Sequence, residues 1–258
     1  MAEEVVEQII FSTVSSSPRT WLAPSDLKEG LYNVVVECWG GGGAGGYVFG
    51  NNSVSSGGAG GAYVRVGTTI NKGQSVSYQV GGGAFGGSYN VDGTGSPGGD
   101  TWFIDPTQIM AEGGTGAPVM FADNISGSTS LVLGSTSRCR TIGNVQAKYK
   151  GGDGGGSNMP WESGGGGSGA GSTGNGNSAY GRTGGSAKTE YGGAGGNGTL
   201  TVASNGATGS NYGSGGSGAS TYNGTGPRPS GSGRQGIIRL TYTRILPTTK
   251  PFIMKTLP

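Results

Sequence analysis

The sequence predicts an all-β fold: a β-sandwich or jelly-roll-like scaffold carrying glycine-rich loops or a polyglycine-II bundle. Three observations point there. Short β-branched and aromatic runs alternate apolar with polar residues, the period of a half-buried strand. No segment sustains the 3.6-residue period of a helix. Finally, 61 of the 258 residues are glycine, crowded into two blocks. Residues 1–39 hold one glycine, 40–99 hold 22, 100–150 hold six, 151–236 hold 32 and 237–258 hold none. Apolar residues reach only 32% and charged residues 12%, against ordinary shares of about 45–50% and 25%. One conventional core cannot fill that length.

Taken in chain order, residues 1–17 form an N-terminal anchoring segment whose apolar stretch, Val5 to Phe11, has no obvious partner in its own chain. Residues 18–150 form a β-rich, glycine-containing domain. Its strands are predicted at 31–39, 62–66 and 75–80, with weaker ones at 101–104, 118–121 and 131–133. A closing strand is predicted at 236–243, so that residues 237–243 complete the β domain and bring the two glycine-poor ends together. Leu31, Val34, Val36, Ile238 and Leu240 are the predicted core. Residues 244–258, with Pro247, Pro251 and Pro258, read as an extended arm.

Residues 151–236 are the unusual part, with three acids, four bases and few aliphatic residues. Such a segment either stays disordered, since glycine loses most backbone entropy on folding, or packs backbone on backbone as polyglycine-II strands. The packed state is the expectation, with irregular loop as the alternative. Glycine shows no excess at every third position, which excludes collagen.

Composition also narrows the chemistry. There is no histidine, which removes Ser-His-Asp and Cys-His sites, HExxH zinc sites and His-ligated haem. The 16 basic and 14 acidic residues leave a net charge of +2 with no basic cluster, unlike a nucleic-acid binder. Cys38 and Cys139 are too few for a disulfide scaffold and predict free thiols or one bridge. The acidic start does not resemble a signal peptide, and no apolar run is long enough to span a membrane. The expectation is therefore synthesis in a cytoplasm, with no cofactor, metal, nucleic acid or membrane insertion.

Nucleotide-type motifs carry little weight here. The GxGxxG matches lack the flanking strand and helix. The stretch 181–189 lacks a glycine before Lys188 and has no following helix. Residues 92–100 offer too few carboxylates for a calcium loop. Aromatic residues inside the glycine tracts are more informative. Tyr47, Tyr89, Trp161, Tyr180, Tyr191, Tyr212 and Tyr222 either cover glycine packing or form a recognition surface of the Tyr/Ser/Asn/Gly kind. Both readings stay open.

Several blocks recur in a recognisable order: 20–24, the run from Tyr32 through Trp39-Gly-Gly-Gly-Gly to Gly46, 57–65, 78–83, 98–103 and 233–242. Together they resemble the glycine-rich domain of bacteriophage virion proteins, especially tail fibres and adhesins, over roughly 18–243. The resemblance implies a β-rich shell with projecting glycine-rich loops or polyglycine-II strands, binding at distal loops and no catalysis. It implies a location in the virion, assembly with other virion proteins and a homo-oligomer, a trimer being favoured. The receptor would be a host-surface glycan or outer-membrane protein. The seven aromatic residues of the glycine tracts are then receptor-binding candidates, and Val5, Ile9, Phe11, Phe252, Ile253 and Leu257 are assembly candidates. The rivals are a head-fibre or decoration protein with a purely structural role, a non-viral glycine-rich matrix or ice-binding protein, and a glycan hydrolase. The last would need paired carboxylates, and the 14 acids are scattered.

Overall fold

The computed structural model describes residues 2–49, 53–86, 94–118, 133–156, 162–200, 203–221 and 226–247. Among them there is no helix, and ten strands form two antiparallel sheets. One sheet contains β1 (Ala2–Phe11), β10 (Ile237–Pro247), β3 (Val34–Trp39), β4 (Tyr63–Thr68) and β9 (Asn144–Tyr149), in that order. The other contains β2 (Arg19–Leu22), β5 (Ser75–Gln79), β6 (Thr101–Phe103), β7 (Ile109–Ala111) and β8 (Arg140–Thr141). Strands β3, β4 and β10 lie over β6, β7 and β8, so the fold is an open sandwich rather than a closed barrel.

Alternation decides which side chains enter the space between the sheets. Val34, Val36 and Cys38 of β3 meet Val64 and Val66 of β4 and Ile238 and Leu240 of β10, all fully buried. The second sheet contributes Val76, Tyr78, Phe103 and Ile109, with the Trp21 ring 5.9 Å from Phe103 and 5.7 Å from Tyr242. Four of the five predicted core residues are thus in place. Leu31 is not, being 78% exposed. The β-branched run begins pairing only at Val34, because residues 31–32 form a turn in which Tyr32 has φ of 57°. The Asn33 side chain locks that turn by donating to the Lys28 and Ile70 carbonyls and accepting from the Ile70 amide.

The two glycine-poor ends do meet. β1 pairs with β10 along its whole length, from Ala2 opposite Pro247 to Phe11 opposite Ile238. This corrects the reading of 5–11 as a segment with no partner of its own. Val5, Ile9 and Phe11 face inward; Ile9 and Phe11 pack on the core, and Phe11 stacks on Tyr78 at 4.2 Å. Residues 119–132 and 248–258 lie outside the described residues, and with them most of the two weaker predicted strands at 118–121 and 131–133. Pro118 and Leu133, the parts that are described, are not in strands.

Beyond the sandwich the chain changes period from two to three. The Gly40, Gly43 and Gly46 amides donate to the carbonyls of Ala62, Ala59 and Ser56 at 2.9–3.0 Å. Those of Gly41 and Ala44 donate to Gly99 and Ser96, and those of Gly42 and Gly45 to Arg234 and Gly231. Successive amides therefore point to three different neighbours in rotation, and each partner series steps by three. That is the geometry of a three-residue-per-turn polyglycine-II helix, with inter-strand bonds in place of a side-chain core. The next strand behaves likewise. Gly57 and Gly60 bond to Gly155 and Gly152, Gly58 and Gly61 to Gly216 and Gly213, and Ala59 and Ala62 to Thr115 and Glu112. The same lattice includes 163–170, 192–198 and 213–220.

Packing of this kind, anticipated for 151–236, thus also takes in glycines of the first block. It grows directly from the sandwich. β3 runs on into 40–46, β5 into 81–86, β7 into 112–117 and β9 into 151–155, while 57–62 leads into β4 and 229–236 into β10. Glycine is needed because backbones touch on every side. A Cβ added at Gly40 or Gly43 would sit closer than 3.0 Å to a carbonyl of strand 112–117, one at Gly41 to a carbonyl of 81–86 and one at Gly42 to a carbonyl of 213–220.

Candidate functional site

A buried polar cluster lies where β3 and β10 enter the glycine lattice. Glu37 and Arg239 stand opposite each other in the β3–β10 register. The Arg239 guanidinium grips the Glu37 carboxylate with two donors, at 2.7 and 2.9 Å, and reaches Glu190 with a third at 2.8 Å. Tyr63 donates its hydroxyl to Glu37 at 2.6 Å. The hydrogen bonds to Glu37 push the Arg239 pKa further up, and burial does the same for the Tyr63 phenol, helped by its bond to Glu37. Both groups are held in their ordinary protonation states. The cluster is an internal clamp rather than a proton-transfer pair.

Aromatic rings roof this clamp. Arg239 lies 5.8 Å from the Trp39 ring centre and 5.5 Å from that of Tyr191, within cation–π range. Tyr191 meets Trp39 edge-on at 5.2 Å, and Tyr212 lies 5.9 Å from Tyr191. Tyr191 and Tyr212 are consequently half-buried against the sandwich instead of standing on free loops. Tyr63 and Tyr149 stack at 6.0 Å on the same face.

The other aromatic candidates fall elsewhere. Tyr180 is 83% exposed, at a tight turn in which Tyr180 and Thr183 exchange backbone hydrogen bonds. Tyr47 packs on Phe49 at 4.7 Å. Tyr89, Trp161, Tyr222, Phe252, Ile253 and Leu257 lie outside the described residues.

A shallow groove of about 660 Å³ opens beside strand 81–86 of the lattice, lined by Val14, Phe85, Asn211, Tyr212, Arg234 and Gln235 among others. Phe85 is 71% exposed there. Arg234 is the one charged lining residue among the described residues and is steadied by an Nε bond to the Gly209 carbonyl at 2.8 Å. Gln235 is tied to the Ser12 carbonyl. Sequence reasoning passed over Phe85, although it stands in a Gly-Gly-Ala-Phe-Gly setting like those of the tyrosines that were singled out. It also passed over the Glu37–Arg239 clamp, whose members are 202 residues apart.

Neither thiol is poised for chemistry. Cys38 and Cys139 are both free and buried, and burial raises the Cys139 pKa to about 11 and moves Cys38 in the same direction. Among the described residues no three His, Cys, Asp or Glu side chains are grouped to hold a metal ion, and no helix is long and apolar enough to cross a membrane. Asp100 is committed to Arg138 at 3.0 Å and to the Gly113 amide at 2.8 Å.

A β-sandwich prolonged by a hydrogen-bonded glycine lattice defines a protein whose order comes from backbone packing as much as from side chains. The chain belongs to the glycine-rich domain family, whose profile matches residues 15–243. No curated protein matches it.

Proposed function

We propose that this is a non-enzymatic bacteriophage virion protein, a tail-fibre or adhesin subunit that works by surface contact. The observation that supports the reading best is the lattice itself. Its interlocked amides hold the strands at fixed spacing, and rings such as Tyr180 and Phe85 remain exposed on that rigid support. A stiff platform reduces the entropy lost when a loop engages a partner, and several copies convert weak contacts into avidity. The partners are other virion proteins and a host-surface glycan or outer-membrane protein, with the chain located in the virion. Particles carrying Tyr180→Ala and Phe85→Ala are expected to assemble normally and to adsorb more slowly to host cells. Normal adsorption by that double variant would refute the receptor-binding role.

A head-fibre or decoration role is favoured by a different observation, that Tyr191 and Tyr212 are used to cover the Arg239 clamp. On that reading, Tyr191→Ala and Tyr212→Ala lower thermal stability and leave adsorption unchanged.

A further inference from the structure

β1 is an edge strand of ten residues, and its whole hydrogen-bonded partnership is with β10. Among the described residues no backbone group pairs with its other edge. Its outward face carries Val6 and Ile10, which are 67% and 48% exposed. A long, open edge with apolar side chains is a template for another strand. We propose that a second copy of this chain fills it, the two β1 strands pairing antiparallel about a twofold axis at Gln8 and joining the two five-stranded sheets into one.

Charge and pattern select both the occupant and the register. Inward-facing residues must stay opposite inward-facing ones, because a one-residue slip reverses every side chain. Of the registers left, one centred on Glu7 sets Glu7 against Glu7, and those centred nearer the N-terminus on Glu4 or Val5 also oppose glutamates; like charges directly opposite destabilise a ladder. Centring on Gln8 places Val6 opposite Ile10 twice, Glu7 opposite Ile9 and Val5 opposite Phe11, so no glutamate faces another. Centring on Val6, Ile9 or Ile10 also avoids such a clash, but Val6 leaves Ile10 against Ala2, Ile9 leaves it against Gln8, and Ile10 pairs only residues 9–11 of the strand, each covering less apolar surface. The acids do not bar a second copy. Glu4 is neutralised by Lys28 at 2.9 Å and Glu7 by Arg244 at 2.8 Å, both within the same chain. A twofold contact satisfies the open edge, whereas a threefold assembly has no symmetric way to pair β1 with itself.

The test uses the full chain in solution. Light scattering should give twice the 25.4 kDa chain mass, and Val6→Lys with Ile10→Lys should convert the protein to a folded monomer, since both side chains point away from the core; its melting temperature should lose the dependence on protein concentration that a dimer shows. Gln8→Cys should cross-link to dimer with a short bismaleimide, while a Leu22→Cys control, on the exposed side of β2, should not; the native thiols are buried and do not compete. A monomeric or trimeric wild type would overturn the proposal. So would a dimer that survives the double lysine change or fails to cross-link through position 8. None of these readings depends on adsorption to a host, so the virion proposal can fail separately.

Discussion

Replacing Gly195 with alanine tests whether backbone contact holds the lattice together. A Cβ at Gly195 would lie closer than 3.0 Å to the carbonyl oxygens of Gly166 and Gly167. Neither is the end of a flexible side chain, so strand 192–199 must separate from 163–170. Three hydrogen bonds join those strands, from the amides of Ser163, Gly166 and Gly169 to the carbonyls of Thr199, Gly196 and Gly193. At about 0.5–1.5 kcal/mol net for each bond, their loss amounts to roughly 1.5–4.5 kcal/mol, a large part of a typical folding free energy of about 5–15 kcal/mol. Gly174 is the control, because a Cβ there meets nothing within 4 Å. Alanine at an open glycine with compatible backbone stabilises by about 0.4–1 kcal/mol, through the unfolded chain. The two changes should therefore have opposite signs in urea denaturation. Hydrogen exchange should show the Gly166 and Gly169 amides losing protection only in Gly195→Ala. Equal stability of the two variants, or rapid exchange throughout 163–198 in the wild type, would refute backbone packing; Gly195→Leu should only enlarge the effect.

Other perturbations separate the remaining contributions. Val36→Ala empties space in a fully buried position and should cost about 2 kcal/mol, while Leu31→Ala, at an exposed turn, should stay within about 0.5 kcal/mol; thermal melts of the pair check both. Arg239→Met leaves the Glu37 carboxylate, 2% exposed, without its partner and should destabilise by about 3–5 kcal/mol, with the double change Arg239→Met and Glu37→Gln recovering part of the loss. Arg244 donates to Glu7 and Asp26 and holds both carboxyl pKa values below their ordinary 4.5 and 3.8. A lowered folded-state pKa gives stability that is present above the ordinary value and lost as pH falls through the folded one. Wild-type stability should therefore drop below about pH 4, and the fall should be shallower in Glu7→Gln, as read from denaturant midpoints across an acid pH series.

Much of this molecule can be read from local sequence. The run Val34–Trp39 is β-branched and aromatic and becomes a buried strand; the loss of side chains at Gly40 signals the change to backbone packing, because only glycine lets three neighbours approach at once. The absence of histidine removes whole classes of chemistry before any coordinates are considered. Tertiary structure alone decided the rest. Apolar residues occupy both parities of β1, so the pattern of Val5, Val6, Ile9 and Ile10 could not say which face turns inward; the β10 register and the Phe11–Tyr78 stack did. Glu37 and Arg239 meet through strands from opposite ends of the chain, and Tyr191 becomes a roof only because that clamp lies beneath it. In the lattice the ambiguity is greater still. Every glycine presents the same amide and carbonyl, so no side chain encodes that Gly41 bonds to Gly99 or Gly42 to Arg234. Those pairings are set by where the sandwich strands deliver each segment, and by the few positions, such as Ala44 and Ala59, where a methyl group finds room.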